Sequence, residues 1–274
     1  MRIATWNVNS IRTRADRVLA WLDRTDTDVL AIQETKCRDD QFPHLLFEAA
    51  GYEVAHTGIN QWNGVAIVSR MGIHDVETAF PSQPAFGRGE PVVEPRALGA
   101  TVGPAALGGD ASGNAGVRVW SVYAPNGRAL GDPHYDYKLA WLGALAEAAR
   151  GWAGEPTLLL GDWNVAPLDE DVWDIEVFAG ATHVSEPERA ALAQVEAAGY
   201  EEVSRRFTPG EYTYWDYQQL AFPRNNGMRI DLAFASPAAA ERVRRVWIDR
   251  DERKGKGASD HVPVVIDLEP AARG

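Results

Sequence analysis

The sequence predicts an α/β fold within a single domain that covers residues 1–270. Short apolar runs alternate with segments whose apolar residues recur at helical spacing, and this alternation is typical of α/β proteins. The 274 residues, 45% of them hydrophobic, suffice for a sizeable core, and we find no internal repeat. The runs predicted as strands are Arg2–Trp6, Val29–Ile32, Gly64–Val68, Val117–Tyr123, Thr157–Leu160, Arg229–Ala235 and Val262–Leu268.

Amphipathic helices are predicted between these strands. Apolar residues recur at helical spacing over Ile11–Leu22 and over Leu139–Ala149. Another helix begins after Ser185, which forms a capping-box pattern with Glu188, and ends at Gly199. By contrast, Gly103–Gly116 consists mainly of small and polar residues, so we expect a surface loop there between two strands.

Charge and cysteine content narrow the class of protein. Lys and Arg number 27 against 39 Asp and Glu, and the net charge of −12 argues against a polycation that coats nucleic acid or an anionic membrane. A nucleic-acid enzyme remains compatible, because the local clustering of basic residues matters there. The single cysteine, Cys37, excludes an internal disulfide framework and a cage of thiolate ligands. Since no apolar run is typical of a signal peptide or a membrane span, we expect a cytoplasmic protein without membrane contact.

Polar side chains collect where the predicted strands end or begin. Ligand sites in sheet proteins form at such places. Taken singly, each side chain has an ordinary explanation as a turn residue, a helix cap or a core residue. Asp231 is harder to explain in that way, because an unpaired carboxylate within an apolar strand is costly, and His261 is its natural partner. The side chains are Asn7, Glu34, Tyr123, Asn126, Asp162, Asn164, Asp231, Asp260 and His261.

The residue types in this set indicate metal-assisted hydrolysis of a phosphate ester. Glu34, Asp162, Asp231 and Asp260 supply hard oxygen ligands, which suit Mg²⁺ and, as a substitute, Mn²⁺. Acidic residues alone would repel a phosphate, so a cation is needed between them. The chain has no G-x-S-x-G nucleophile motif, and His261 beside an aspartate would be an oriented imidazole. We therefore expect a metal-assisted attack of water without a covalent enzyme intermediate.

These residues lie in runs that resemble a known family. The runs TWNVNSIR, AIQETK, GDWNVAP, RIDLAFAS and SDHVPV resemble the signatures of the endonuclease/exonuclease/phosphatase superfamily, and among its branches that of exonuclease III, the class II apurinic/apyrimidinic DNA endonucleases. The similarity extends from Arg2 to about Leu268 in the order of the family. The resemblance implies a four-layer α/β sandwich with two mixed β-sheets packed face to face and flanking helices. It also implies Mg²⁺-dependent hydrolysis of the phosphodiester 5′ to an abasic site, with 3′-5′ exonuclease and 3′-end-cleaning activity.

The resemblance also assigns roles to individual residues. Glu34 would be the principal metal ligand, and His261, oriented by Asp231, would donate to a phosphate oxygen in the transition state. Whether Asp162 or the His261–Asp231 pair activates the water is left open. The implied metal ligands are Glu34, Asp260, Asn7 and Asp162. The implied catalytic residues are Asp162, Asn164, Tyr123, Asp231, His261 and Asn7.

Two features bear on the choice of substrate. The segments 212–217 and 225–231 resemble the part of this branch that holds an abasic sugar, where an apolar pocket would admit an extruded deoxyribose without its base. The alternative is that these aromatic residues belong to the core. Basic residues at 12–17 and 242–256 would contact backbone phosphates, as would Lys138, or they would form a solvated face. The predicted substrate-binding residues are Tyr214, Trp215, Met228, Ile230, Asn126 and Arg96.

We therefore expect a monomeric repair nuclease whose partner is double-stranded DNA with abasic sites or blocked 3′ ends. Asn9 stands where some relatives carry an aspartate near the metal, which favours a site with one metal ion. The main alternative is a metal-dependent phosphodiesterase or phosphatase of the same superfamily that acts on RNA, lipid or small-molecule phosphate esters. Another is a DNA-binding protein of the same fold without activity, which the presence of the acidic and histidine residues disfavours.

Overall fold

A computed structural model describes residues 1–87, 89–103 and 116–270, and in these ranges the chain forms two six-stranded sheets. The order in the first sheet is β11-β12-β1-β2-β4-β3, from strands β1 (Arg2–Asn7), β2 (Val29–Gln33), β3 (Glu53–Thr57), β4 (Val65–Ser69), β11 (Val243–Ile248) and β12 (Val264–Leu268). The order in the second sheet is β5-β6-β7-β8-β10-β9, from strands β5 (Ile73–Glu77), β6 (Ala97–Val102), β7 (Val117–Tyr123), β8 (Thr157–Asp162), β9 (Glu201–Glu202) and β10 (Asp231–Ala235).

Both sheets are mixed in the same way. In the first sheet β1 and β2 are parallel and the other neighbours are antiparallel. In the second sheet β7 and β8 are the parallel pair. The α-helices are α1 (Ala15–Thr25), α2 (His44–Ala49), α3 (Pro133–Arg150), α4 (Glu186–Ala197), α5 (Ala221–Arg224) and α6 (Pro237–Ala240).

Three apolar clusters stack these elements into four layers. A central cluster joins the facing sides of the two sheets and includes Ile67, Val119 and Leu160. On the outer side of the first sheet, α1 packs through Val18 and Trp21, and α3 and α4 cover the outer side of the second sheet. The predicted four-layer sandwich is therefore confirmed. In the described part of the chain, we find no helix with the length and apolar character that crossing a membrane requires.

The predicted elements are all present, and their ends differ by up to six residues, since the helix predicted over Leu139–Ala149 is α3 and begins at Pro133. The third predicted helix is α4, and Ser185 and Glu188 form the expected capping box. The first predicted helix is divided, since residues 11–13 form a 3₁₀ turn and α1 begins only at Ala15. The predicted surface loop Gly103–Gly116 lies, apart from its two ends, outside the described residues.

Sequence analysis missed β3, β5, β6, β9 and β11. Four of the five residues of β5 are exposed, so this edge strand has no buried face that would produce an apolar pattern. In β11, Arg244 and Arg245 are both exposed, and the strand was interpreted as part of a basic stretch. Strand β11 lies at the edge of its sheet, and exposed charged side chains on an edge strand block its pairing with another chain.

The topology brings all the predicted catalytic segments to one edge. The parallel strands β1, β2, β7 and β8 end there. Strands β10 and β12 run antiparallel to their neighbours, so they begin at the same edge. Asp231, the first residue of β10, accordingly pairs with Asp162, the last residue of β8. Residues that are far apart in sequence meet because some strands end, and others start, at this edge.

The contact between the sheets is expected to dominate stability. Leu160 is fully buried in the central cluster, so Leu160→Ala should lower the free energy of unfolding by about 2–5 kcal/mol, measured by urea denaturation. Leu45→Ala is the matched control, because Leu45 is 79% exposed and its loss should change stability by less than about 0.5 kcal/mol. Equal effects of the two substitutions would contradict the face-to-face packing of the sheets.

Candidate active site

Glu34 and Asn7 meet at the ends of β2 and β1. The amide nitrogen of Asn7 donates to Glu34 Oε1 at 2.9 Å, and Lys36 Nζ lies 2.6 Å from Glu34 Oε2. Burial acts to raise the pKa of Glu34, but the charge of Lys36 and the hydrogen bonds from Asn7 and Lys36 outweigh burial, so the pKa lies below its usual range. Glu34 is therefore a fixed carboxylate that stays ionised at neutral pH.

Asp162 faces this pair from the end of β8. Its Oδ2 accepts a hydrogen bond from the Asn7 amide at 3.0 Å, and its Oδ1 accepts from the backbone N–H of Asn164 at 2.9 Å. The preceding Gly161 is required by close packing, since a Cβ there would lie 1.8 Å from the Val122 carbonyl oxygen. Burial, with the charges of Asp231 and Glu34, raises the pKa of Asp162 to about 7. A carboxyl group with such a pKa can accept or release a proton near neutral pH.

His261 and Asp231 form the predicted pair. Asp231 is fully buried, and its Oδ2 lies 2.8 Å from His261 Nδ1. The other ring nitrogen, Nε2, lies 3.7 Å from Asp162 Oδ2. Burial acts against the charged form of His261, but Asp231 and Asp162 raise its pKa to about 10. The imidazole is therefore charged, oriented by Asp231, and directed at the carboxylates.

The same group of side chains fits a divalent cation. Glu34 and Asp162 each offer a carboxylate oxygen within 4.8 Å of the other and of a ring nitrogen of His261, and the two carboxylates supply the hard oxygens that Mg²⁺ and Mn²⁺ prefer. The charged imidazole of His261 has no free lone pair, so it is a donor beside the cation and not a ligand. Asp260 lies to one side, where its Oδ1 accepts from the Asn9 amide at 3.1 Å. The amide nitrogen of Asn7 faces the two carboxylates, and the role of Asn7 as a metal ligand stays a prediction. Its oxygen instead accepts from the backbone N–H of Asn9 at 3.0 Å.

Asn9 links the two sides of this group. Its side-chain oxygen accepts from Lys36 Nζ at 2.6 Å, and its side-chain nitrogen donates to Asp260. A neutral amide can make both contacts at once, whereas an aspartate has no donor for Asp260. The prediction of a single metal ion depends on Asn9 standing in place of an aspartate, and it stays a prediction.

Tyr123 ends β7 beside Glu34. Burial raises the pKa of its hydroxyl well above the usual value and the Glu34 charge adds to this effect, so the group stays a protonated donor. Arg96 was predicted to bind substrate, but only 4% of it is exposed. Its guanidinium stacks 4.8 Å from the centre of the Tyr123 ring and lies 2.6 Å from Glu94 Oε2. Arg96 therefore supports Tyr123 from behind.

A group that we call the amide cluster consists of Asn126, Asn164 and His183. Asn164 Oδ1 lies 3.3 Å from Asn126 Nδ2 and 3.2 Å from His183 Nε2, and those two nitrogens are 3.2 Å apart. Burial, followed by the charge of Lys138, lowers the pKa of His183 to about 4, so its ring is neutral. Sequence analysis missed His183, because no strand leads into it. Its position two residues before the helix cap Ser185 was the only local signal.

The predicted sugar pocket is present in part. Tyr214 and Met228 line a cavity of about 260 Å³ together with Trp173 and Phe178, and the Tyr214 ring lies 4.9 Å from the His261 ring. Trp215 and Ile230, which were also predicted, are buried beneath the cavity and are 1% and 2% exposed. Trp215 packs edge-on against Phe222 and bonds to Asn225, so it belongs to the core.

Several of the basic residues predicted to contact DNA instead bind within the protein. Arg17 lies 2.8 Å from Glu252, and Arg14 and Arg253 donate to backbone carbonyls of neighbouring loops. Lys138 is wholly inaccessible and cannot contact a ligand at the surface. These contacts hold loops around the site, and the role of the other basic residues at 12–17 and 242–256 in binding phosphates stays a prediction.

Comparison with known proteins places the fold in one family. The profile of the endonuclease/exonuclease/phosphatase family matches residues 4–261. The structure resembles that of the 3′-5′ exonuclease NExo from Neisseria meningitidis, with 35% identity, coverage of 98% of this chain and 100% of the other, and a TM-score of 0.87. Another NExo structure is described as a 3′ phosphatase bound to a product DNA hairpin.

Two further relatives agree with this assignment. An AP endonuclease from Archaeoglobus fulgidus is 32% identical, with coverage of 98% of this chain and 99% of the other and a TM-score of 0.88. Exodeoxyribonuclease III from Haemophilus influenzae is 26% identical over 96% of this chain and 98% of its own length. The predicted family and the predicted nuclease class are confirmed. The chain belongs to the endonuclease/exonuclease/phosphatase family.

Proposed function

We propose that this protein is a Mg²⁺-dependent DNA-repair nuclease that hydrolyses the phosphodiester 5′ to abasic sites in duplex DNA and also removes blocked 3′ ends. We infer that it acts as a monomer in the cytoplasm on nucleoid DNA. The observation that carries this proposal is the position of Tyr214, whose ring contacts His261 on one side and lines the cavity of about 260 Å³ on the other. A sugar in that cavity would have its phosphate beside the catalytic groups.

The acidic side of the site would hold the metal. Glu34 and Asp162 are its ligands in this proposal, with Asp260 nearby, and Mg²⁺ would supply Lewis-acid stabilisation of charge on the phosphate. Asn7 donates to both carboxylates and so holds one oxygen of each beside its amide nitrogen. The buried position of these groups strengthens their electrostatic effect relative to water.

The remaining residues act on the phosphate and on water. The charged imidazole of His261 donates from Nε2 to a phosphate oxygen as negative charge develops in the transition state. The Tyr123 hydroxyl and the amides of Asn126 and Asn164 orient the phosphate for in-line attack. Asp162 holds the attacking water or passes a proton to the leaving oxygen, and its pKa of about 7 suits either task.

Damaged DNA is favoured over other phosphate esters by the shape and chemistry of the cavity. A cavity of about 260 Å³ is small, and its lining combines the apolar Met228, Phe178 and Trp173 with the polar Gln218, Gln219 and Asn226. A deoxyribose without its base presents an apolar face and costs least to extrude from the duplex. Processing of 3′ ends is the second candidate, since the two NExo structures, at 35% identity, are described as an exonuclease and a 3′ phosphatase.

The test uses three labelled duplexes, one with a reduced abasic-site analogue, one with a 3′-phosphate and one undamaged, each with Mg²⁺ and with EDTA. We expect Mg²⁺-dependent incision 5′ to the abasic site that is faster than degradation of the undamaged control. Met228→Ala should lower kcat/KM for the abasic duplex by about tenfold, because the sugar loses an apolar wall. Met71→Ala is the matched control. Met71 is exposed and follows the end of β4 that lies away from the active site.

The other outcomes separate the alternatives. Removal of the 3′-phosphate without incision would keep the mechanism and restrict the function to 3′ ends. Failure to cleave any of the three duplexes would overturn the DNA assignment, and RNA and phospholipid esters would be tested next.

A further inference from the structure

A fully buried ion pair lies directly beneath the amide cluster. The side chains of Lys138, on α3, and Glu188, on α4, are both 0% exposed and in direct contact. Removing two charges from water costs free energy that their mutual attraction often only balances. Their mutual attraction therefore does not explain the pair by itself, and the contacts of each side chain must be considered.

The ammonium group of Lys138 binds the backbone of both asparagines. Its Nζ donates to the carbonyl oxygen of Asn164 at 2.6 Å and to that of Asn126 at 3.2 Å. These residues follow β8 and β7, and their side-chain amides form the amide cluster. The ammonium group of Lys138 thus fixes the spacing between the loop after β7 and the loop after β8. These loops lie beyond the last paired residues of the two strands.

Glu188 fixes the third member of the cluster. Its Oε1 accepts from the backbone N–H of His183 at 2.9 Å and from Thr182 Oγ1 at 2.6 Å, and its Oε2 accepts from Ser185 Oγ at 2.6 Å. The carboxylate therefore completes the capping box of α4 and at the same time holds the loop that carries His183.

The first turns of α3 reinforce this arrangement. His134 Nδ1 accepts from the backbone N–H of Gly127 at 3.1 Å, and the Tyr135 hydroxyl lies 2.6 Å from Ser185 Oγ. Gly127 has a φ of 92°, and a Cβ at this position would lie 2.9 Å from Thr182 Oγ1. The loop is therefore packed onto the ion pair too closely to admit a side chain.

We propose that the Lys138–Glu188 pair is a positioning device that sets the geometry of Asn126, Asn164 and His183 around the substrate phosphate. The pair does not touch substrate and acts only through these three residues. This role rests on the proposed function, since it assumes that the amide cluster binds a phosphate. It also explains the two buried charges, since an apolar pair would leave the carbonyl oxygens of Asn126 and Asn164 and the N–H of His183 without these partners.

The test separates positioning from stability. Lys138→Met alone leaves Glu188 charged and unpaired, so the informative variant is the double substitution Lys138→Met/Glu188→Gln, which removes both charges. We expect this variant to be folded, with kcat for DNA cleavage lowered by about 10- to 100-fold and KM changed by less than about threefold, because small displacements of positioned groups are costly. Should it fail to fold, Lys138→Gln/Glu188→Gln provides the second test, since the shorter amide cannot reach both carbonyls.

The matched control is Arg118→Met/Glu77→Gln. Arg118 is also a buried cation, 5% exposed and paired with Glu77, but it lies at the opposite end of β7 from Tyr123. Glu77 is 48% exposed, so this control removes a pair that is less buried, and it should keep kcat within about twofold of the wild type. A folded Lys138/Glu188 variant with kcat within twofold of the wild type would overturn the proposal.

A second readout does not depend on activity. The side-chain amide NMR signals of Asn126 and Asn164 should shift in the Lys138/Glu188 variant and stay in place in the Arg118/Glu77 control. If the wild type cleaves no DNA, the proposed function fails, and these signals alone decide the positioning role. Unchanged signals would contradict it.

Discussion

Glu34→Gln is expected to lower Mg²⁺-dependent DNA cleavage by about 10³-fold or more, with duplex binding nearly unchanged. Glutamine keeps an oxygen that can accept from Asn7, so the local geometry at the end of β2 should persist. It lacks the negative charge that the low pKa of Glu34 maintains at neutral pH, and that charge is what a hard cation needs. Lys36 would lose its charged partner but would keep its hydrogen bond to Asn9, and it is partly exposed.

The measurement pairs single-turnover cleavage with direct titration of Mn²⁺ by calorimetry. We expect the variant to bind Mn²⁺ at least about tenfold more weakly, since one carboxylate ligand is lost. Glu48→Gln is the control, because Glu48 is exposed on α2 and its loss removes the same charge far from the site. Cleavage by the Glu34 variant at more than a tenth of the wild-type rate would contradict its role as the principal ligand.

The part of the site at strand ends could be predicted from the sequence. Asn7, Glu34 and Asp162 each follow an apolar run, and a strand that ends in a carboxylate or amide is visible without knowing its neighbours. These residues meet at one edge because the parallel pairs β1/β2 and β7/β8 both end there. This property belongs to the topology. The resemblance to the family supplied that topology, since strand order cannot be obtained from periodicity.

The positioning residues could not be predicted in this way. Lys138 lies in the second turn of α3, where a lysine is ordinarily on the solvated face. It is buried by α4 and by the loops that carry Asn126, Asn164 and Thr182. His183 lies in an irregular loop whose conformation depends on Glu188. Trp215 and Tyr214 are neighbours of similar chemistry, and the sequence alone does not tell which of them faces the cavity.

Replacing His261 by Asn is expected to lower kcat on the order of 10² to 10⁴ with little change in KM. Asparagine can still donate to Asp231, so the buried carboxylate keeps a partner and the fold should be retained. It is too short to place a donor where Nε2 lies, 3.7 Å from Asp162 Oδ2, and it carries no positive charge. The pKa of about 10 means that the wild-type imidazole is charged before the phosphate arrives.

Two further variants identify the origin of this loss. His74→Asn, on the exposed edge strand β5, is the control and should leave the rate unchanged. Asp231→Asn keeps the imidazole but removes the anion that orients and charges it, so its rate should fall between those of the wild type and His261→Asn. If instead His261→Asn lowered kcat less than tenfold, the histidine would be a structural partner of Asp231, and stabilisation of the transition state would have to come from the metal side and the amide cluster.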